Sequence, residues 1–314
     1  MKITILNECF FELGHINRLK KLGEVKIYKN TVTEEEVIER LKDSDIGIID
    51  MFIAPITKRV LDNCKNIKLI AVNSTGFEKV DGKYARKNNI SLSNIPNFST
   101  DAVAEQTIAL LFAVNRKIVI GDRDFRHSLL EIDPGNEKQK KYLGSNIKGK
   151  TIGIIGCGNI GTRVAQLAQG LGMIVLAYNR TKKTIQGVKF VELKQLLKES
   201  DIISINLAYN KETEHLIGAE ELALMQPKTI LINTCHEGII DTEALYNSLK
   251  NRKIGGAGLD TFKGTKEHPL LELENVVFSP HSAWYTFESL RNIADILTTT
   301  VESFSKGKPI NIVN

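Results

Sequence analysis

Gly156-Cys157-Gly158-Asn159-Ile160-Gly161 follows the apolar run Thr151-Ile152-Gly153-Ile154-Ile155 and opens into Thr162-Arg163-Val164-Ala165-Gln166-Leu167-Ala168. The order is strand, glycine turn, helix. A bare GxGxxG is weak evidence, but these flanks are those of a dinucleotide-binding βαβ unit. Gly156 permits the tight turn, Gly158 lets backbone approach a pyrophosphate, and Gly161 lets helix and strand pack closely. The helix N-terminus, at Asn159 and Ile160, offers N–H groups and a positive dipole end to phosphate.

The next strand, Met173-Ile174-Val175-Leu176-Ala177-Tyr178, ends where a carboxylate would read a ribose 2′-hydroxyl. Here stand Asn179 and Arg180, followed by Thr181, Lys182 and Lys183. Losing the carboxylate removes a repulsion against a 2′-phosphate, and the planar fork of Arg180 suits that phosphate. The expectation is NADP in preference to NAD, with Asn179, Arg180 and Lys182 among the contacts. A solvated basic loop is the plainer alternative.

Outward from this unit, short apolar strands alternate with amphipathic helices, the pattern of parallel-sheet α/β proteins. Strands are expected at Lys2–Leu6, Glu24–Tyr28, Ile46–Asp50, Lys68–Val72 and Ser91–Ser93, then at Ile202–Asn206, Thr229–Asn233, Gly255–Leu259 and Val276–Phe278. Thr33-Glu34-Glu35-Glu36 reads as a capping box. A long helix is expected from Thr100 to about Arg126, apolar around most of its circumference and therefore buried, with a two-fold homodimer contact as its cover. The glycine fingerprint lies mid-chain, so two domains are expected: residues 1–98 with 286–314, and residues 99–285. The crossings between them predict a hinge and a ligand cleft.

At 314 residues the chain can hold two cores. Its net charge of +5 is scattered, with no basic block that would suit nucleic acid. No apolar run reaches membrane-spanning length, and Met1-Lys2-Ile3-Thr4 enters a strand rather than a signal peptide. Cys9, Cys64, Cys157 and Cys235 are far apart, which indicates neither zinc site nor disulfide framework and fits a reducing cytoplasm. No metal is expected.

Four stretches together resemble the D-isomer-specific 2-hydroxyacid dehydrogenase family over essentially the whole chain. They are Asn73–Asp81 with Asn94–Glu105, the glycine fingerprint, Leu231–Asp241 with Gly256–Asp260, and Asn275–Trp284. The resemblance implies two Rossmann-like α/β domains, a flavodoxin-like substrate domain and a doubly wound NAD(P)-binding sheet. It also implies hydride transfer between a nicotinamide and a 2-oxo acid. A His gives a proton to the carbonyl oxygen, an Arg orients the substrate carboxylate, and a Glu partners the His.

Carried across by position, His281 matches the acid, and Ser74, Thr75 and Gly76 match the loop that cradles the substrate carboxylate. The resemblance places Leu207, Thr213, Thr234, Cys235 and Asp260 among the cofactor contacts. Two positions depart from the pattern. His236 stands where the family has Arg, between Cys235 and Glu237, and Thr265 stands where it has Glu. His236 lacks the bidentate fork and anchors an anion by charge only when protonated. Glu267, in a shortened loop, is one candidate for the missing carboxylate. Cys235 reads as a substitute for alanine and Cys157 as packing. Phe52 and Trp284 are placed to shape a pocket. The alternative to a reductase is a dinucleotide-binding sensor or scaffold, because Pro-His-Ser-Ala-Trp-Tyr also resembles the C-terminal-binding-protein corepressors. A third reading is a substrate whose chemistry does not need the Arg.

Overall fold

The apolar runs fold as parallel strands and their connectors as helices, in two separate sheets. The structure is a computed structural model that describes residues 1–7, 10–50, 55–181 and 183–314. Phe52 and Lys182 lie outside the described residues. The chain divides into two units, Met1–Ser99 with Tyr285–Asn314, and Thr100–Trp284.

In the first unit, strands β1 (Lys2–Leu6), β2 (Glu24–Tyr28), β3 (Ile46–Ile49), β4 (Leu69–Val72) and β5 (Ser91–Ser93) form a parallel sheet in the order β2-β1-β3-β4-β5. This is the flavodoxin-like order. Strands β3 and β4 are buried along their length, as central parallel strands with both faces covered should be, while edge strand β2 is largely exposed. Helices α1 (Leu13–Lys20), α2 (Glu34–Leu41), α3 (Lys58–Asn63) and α4 (Gly82–Lys87) connect them, and the C-terminal helix Phe287–Ser305 packs on α1 and β4. The capping box at α2 is present. Thr33 Oγ1 accepts from Glu36 N, and Glu36 Oε2 accepts from the backbone of Thr33 and Val32.

The second unit opens with α5 (Thr100–Asn115) and α6 (Ile118–Ser128). The single helix expected over 100–126 is therefore two. Lys117 takes a left-handed conformation, φ 57° and ψ 33°. Just before it, buried Asn115 is spent on Ser145, donating to its carbonyl at 2.6 Å and accepting from its hydroxyl at 2.9 Å. The apolar circumference of α5 is covered within its own unit. Ala104, Leu110, Leu111 and Val114 join the core under the sheet. The exposed apolar side chains come later, at Ile118, Val119, Phe125, Leu129, Ile132 and Leu143.

Beyond them come β6 (Thr151–Ile155), α7 (Asn159–Gly170), β7 (Ile174–Tyr178), β8 (Val188–Phe190), α8 (Leu193–Glu199), β9 (Ile202–Ile205), α9 (Ala219–Leu224), β10 (Ile230–Asn233), α10 (Thr242–Lys250), β11 (Gly256–Leu259) and β12 (Val276–Phe278). The sheet order is β12-β11-β10-β9-β6-β7-β8. Strand order reverses between β6 and β9, so the crevice of a doubly wound sheet opens at the carboxyl end of β6, where the glycine turn sits. No helix among the described residues is long and apolar enough to cross a membrane.

Candidate functional site

Two of the three glycines in the turn are fixed by close approach. Gly156 has φ +91°, and a Cβ there would lie 2.5 Å from Asn206 O. A Cβ on Gly161 would lie 2.1 Å from Gly156 O, so helix α7 could not settle against the turn. Gly158 differs, because a Cβ there would meet nothing within 4 Å. The space over Gly158 is open, beside a helix N-terminus that no side chain caps. Open room next to uncapped helix N–H groups is what a pyrophosphate requires, and these residues fit a dinucleotide.

The turn is held from outside. Cys157 N donates to Asn179 Oδ1 at 3.2 Å, and Lys183 Nζ donates to Cys157 O at 2.9 Å. Asn179 Nδ2 donates onward to Thr181 O at 2.7 Å. Asn179 thus braces the glycine turn as well as ending β7, a role its position alone did not reveal. Lys183, read only as part of a basic run, also belongs to this arrangement. Arg180 is 83% exposed and pairs with Glu212, itself 72% exposed. The Cys157 side chain is fully buried among Ile154, Val164 and their neighbours, and burial raises its thiol pKa. Leu207, just beyond β9, packs against Gly156. Thr213 closes the following loop, donating to Ala208 O at 2.8 Å and accepting from Asn210 N at 2.8 Å.

A second cluster lies at the carboxyl ends of β10, β11 and β12. Asn233 ends β10 almost fully buried and shapes the next three residues, accepting from Cys235 N at 3.0 Å and donating to His236 O at 3.2 Å. Thr234 bonds Thr107 on α5 at 2.9 Å. The Cys235 thiol turns inward to Ile205 O at 3.2 Å, and burial pushes its pKa up to about 12. It is a packing group, not a nucleophile. His236 caps the short 3-10 turn Glu237–Ile239, its Nδ1 accepting from Gly238 N at 3.0 Å. Its ring stacks on Tyr209 with centroids 4.0 Å apart and planes 15° apart. With Nδ1 occupied by Gly238 N, Nε2 is the ring nitrogen left to meet another group.

Asp260, one residue past β11, is 1% exposed. Its carboxylate accepts from Ser279 Oγ, from Ser282 N at 3.1 Å and from Ala283 N at 3.0 Å. Its carbonyl accepts from His281 N at 2.8 Å. One side chain and its own backbone therefore fix the 279–283 loop from both sides. Within that loop His281 is exposed and left-handed, at φ 55°. A cavity of about 580 Å³ opens in front of it, with Glu237, Phe262, Lys263 and Phe278 among its walls. His236 is not among the wall residues, and neither are Thr265 and Glu267, both exposed. Glu237 is a wall residue that the sequence analysis named only as the neighbour of His236.

In the other unit, Ser74, Thr75 and Gly76 follow β4. Ser74 Oγ donates to Gly76 O, Thr75 O accepts from Asn94 Nδ2 at 2.8 Å, and Ser74 O accepts from Ile95 N at 3.2 Å. The loop is a tight turn at a strand's carboxyl end, braced by the segment after β5.

Residues 108–283 match the family profile described as D-isomer specific 2-hydroxyacid dehydrogenase, NAD binding domain. The chain belongs to the D-isomer specific 2-hydroxyacid dehydrogenase family. It is 36% identical to a glyoxylate reductase of Thermococcus litoralis over 311 residues, covering 95% of this chain and 93% of that one. It is also 36% identical to a glycerate dehydrogenase of Methylorubrum extorquens over 298 residues, 92% of each chain. Among solved structures, an acyclic imino acid reductase in complex with NADPH and D-Arg superposes with a TM-score of 0.89 at 37% identity, covering 100% of both chains. This dehydrogenase is an NAD(P)-dependent oxidoreductase of the 2-hydroxyacid class, and the matched residues 108–283, its NAD binding domain, include the glycine turn.

Proposed function

We propose that this dehydrogenase is an NADPH-preferring reductase of 2-oxo acids with His281 as its acid. The observation that carries this reading is the loop around His281, which Asp260 holds with its carboxylate and its carbonyl. An acid must be presented at a fixed place to donate its proton in the transition state. The nicotinamide, when bound, supplies the hydride to the carbonyl carbon. His281 gives its proton to the carbonyl oxygen and recovers one from solvent, leaving a 2-hydroxy acid. The turn at Ser74, Thr75 and Gly76 cradles the substrate carboxylate. His236 offers its Nε2 as a hydrogen-bonding group at the position of the family's charged fork. Thr234 and the Cys235 backbone line the cofactor side, and Asp260 acts by positioning.

One observation favours a second substrate class. Position 236, just past β10, is His where the family has Arg, and a solved relative at 37% identity is named an acyclic imino acid reductase. A protonated imine carries its own positive charge, so it needs neither an arginine to polarise it nor an acid to protonate it. Oxidation of NADPH and of NADH should be followed with glyoxylate, hydroxypyruvate and pyruvate, each with and without methylamine. Turnover without amine supports the 2-oxo acid reading. Turnover only with amine transfers the activity to imines, and inertness in every mixture rejects both.

A further inference from the structure

Lys117, between α5 and α6, is badly placed for a cation. It is half-buried, and no carboxylate among the described residues pairs with it. Its charged neighbour is Arg252, a like charge. Burial first and Arg252 second push the Lys117 ammonium below the ordinary lysine pKa. Lys117 is also the N-cap of α6 and gives that helix no side-chain cap, so the helix's positive end adds to the conflict. Beside it lies a cavity of about 150 Å³, whose ionisable walls are Lys117, Arg123, Glu272 and Glu274. Arg123 and Glu274 answer each other at 2.8 Å and Glu272 is exposed, which leaves the charge of Lys117 uncompensated.

The fold imposes this meeting of cations. A Cβ on Gly256 would lie 2.8 Å from Val114 Cγ1, so the end of α5 presses on the start of β11, and Lys117 N donates back to Val114 O at 3.4 Å. A Cβ on Gly255 would lie 2.7 Å from Lys228 O, which seats the turn before β10 against the segment that follows Arg252. Lys117 and Arg252 are both left-handed, φ 57° and 53°, each in the turn that follows a helix. Like charges drawn partly out of water cost free energy until an anion joins them. We propose that Lys117 and Arg252 form a binding site for a phosphate group, free or carried as a monoester on a small molecule. A guanidinium takes two phosphate oxygens through parallel N–H groups, and an ammonium takes another as a point charge. The cavity is well below the ~300 Å³ at which pockets for larger ligands begin, so it suits the phosphate group itself and not a nucleotide. The strands are parallel, and this site lies at their amino ends, whereas the glycine turn and His281 lie at their carboxyl ends. Its ligand is therefore a second one, separate from the cofactor.

The test is calorimetric titration of the full chain with inorganic phosphate and with glycerol 3-phosphate, in chloride of matched ionic strength. NADPH is kept saturating so that the glycine turn is occupied. Phosphate should bind, and Arg252→Gln and Lys117→Gln should each weaken it about tenfold or more. Lys42→Gln, in the first unit, should leave it unchanged, and NADPH affinity should be the same in all three variants. Tighter binding of the ester identifies a monoester as the ligand, and tighter binding of inorganic phosphate identifies the free ion. Unfolding temperature gives a second reading. In chloride, Arg252→Gln and Lys117→Gln should equal or exceed the unsubstituted protein, because a like-charge conflict is gone, and in phosphate they should fall below it. Failure of both probes to bind overturns the proposal, as does binding that survives both substitutions. Absent phosphate binding together with a lower mass of Arg252→Gln in light scattering also overturns it, and assigns these cations to a carboxylate of a second copy.

Discussion

Arg180 and Glu212 hold each other at the surface, both more than two-thirds exposed. Pairs this exposed contribute little to stability and are easily exchanged for a stronger partner. A 2′-phosphate is such a partner for a guanidinium. Arg180→Ala should therefore weaken NADPH binding several-fold and leave NADH binding nearly unchanged. Glu212→Gln, which frees the fork, should tighten NADPH. Calorimetry of both variants with both cofactors checks this, and parallel effects on NADH would remove Arg180 from the phosphate site. The sequence exposed the missing ribose-reading carboxylate, because strand end and glycine turn are adjacent in any such unit. It did not expose Glu212, whose meeting with Arg180 depends on two loops converging from different strands.

Asp260 carries a second prediction at the same scale. Asp260→Ala leaves the N–H groups of Ser282 and Ala283 without acceptors and should cost about 2–4 kcal/mol in denaturant unfolding. It should also reduce turnover more than a hundredfold, because the acid loses its fixed place. A loss below about 1 kcal/mol would mean the loop has other supports. Position alone marked Asp260 as a carboxylate closing a strand. That its partners are Ser279, Ser282 and Ala283 follows from strands β11 and β12 being neighbours, which no short window of sequence contains.

Between elements, α6 and the segment that returns toward β6 are joined at Asp124. It accepts from Lys141 Nζ at 2.7 Å, from the Tyr142 hydroxyl at 2.6 Å and from Arg123 Nε at 2.9 Å. The bonds from Lys141, Tyr142 and Arg123 hold its carboxyl well below the usual carboxylate range. A depressed carboxyl contributes fully above its unfolded value, near 4, and loses that contribution as pH falls toward its folded one. Amide exchange across residues 129–146 should accordingly be slow at pH 7 and accelerate at pH 3, after correction for intrinsic rates. Asp124→Asn should show the fast behaviour already at pH 7. Of the twelve strands among the described residues, eleven were readable to within a residue or so, most of them unbroken apolar runs, but the short, partly exposed edge strand β8 was missed. The break at Lys117 was missed too. Helical periodicity continues through it, and the chain stops there because Asn115 is claimed by Ser145, thirty residues away.

At the scale of the molecule, six exposed apolar residues fall on α6 and the segment after it, Leu129 and Leu143 being 75% and 77% exposed. Clusters of this kind on a folded surface mark contact sites. We expect a homodimer built on this region rather than on α5, whose apolar side chains are spent in its own core. Light scattering should give twice the 35.0 kDa of one chain. Leu129→Glu combined with Leu143→Glu should halve that mass while leaving NADPH binding intact. A single-chain mass in the unsubstituted protein would leave these residues in need of another partner.

The left-handed backbone at His281 bears on how its chemistry can be probed. Side chains differ in their tolerance of positive φ, with asparagine, aspartate and histidine among the most permissive and β-branched residues the least. Replacement by alanine or valine therefore changes two things at once, the proton donor and the ease of keeping the turn. Asparagine changes mainly the first. A saturation library at this position would sort first by backbone comfort, and an activity ranking drawn from it would mix loop geometry with acid strength. With His281 as the proposed acid, the codon at 281 is constrained twice, once for what the ring donates and once for the shape of the chain that carries it.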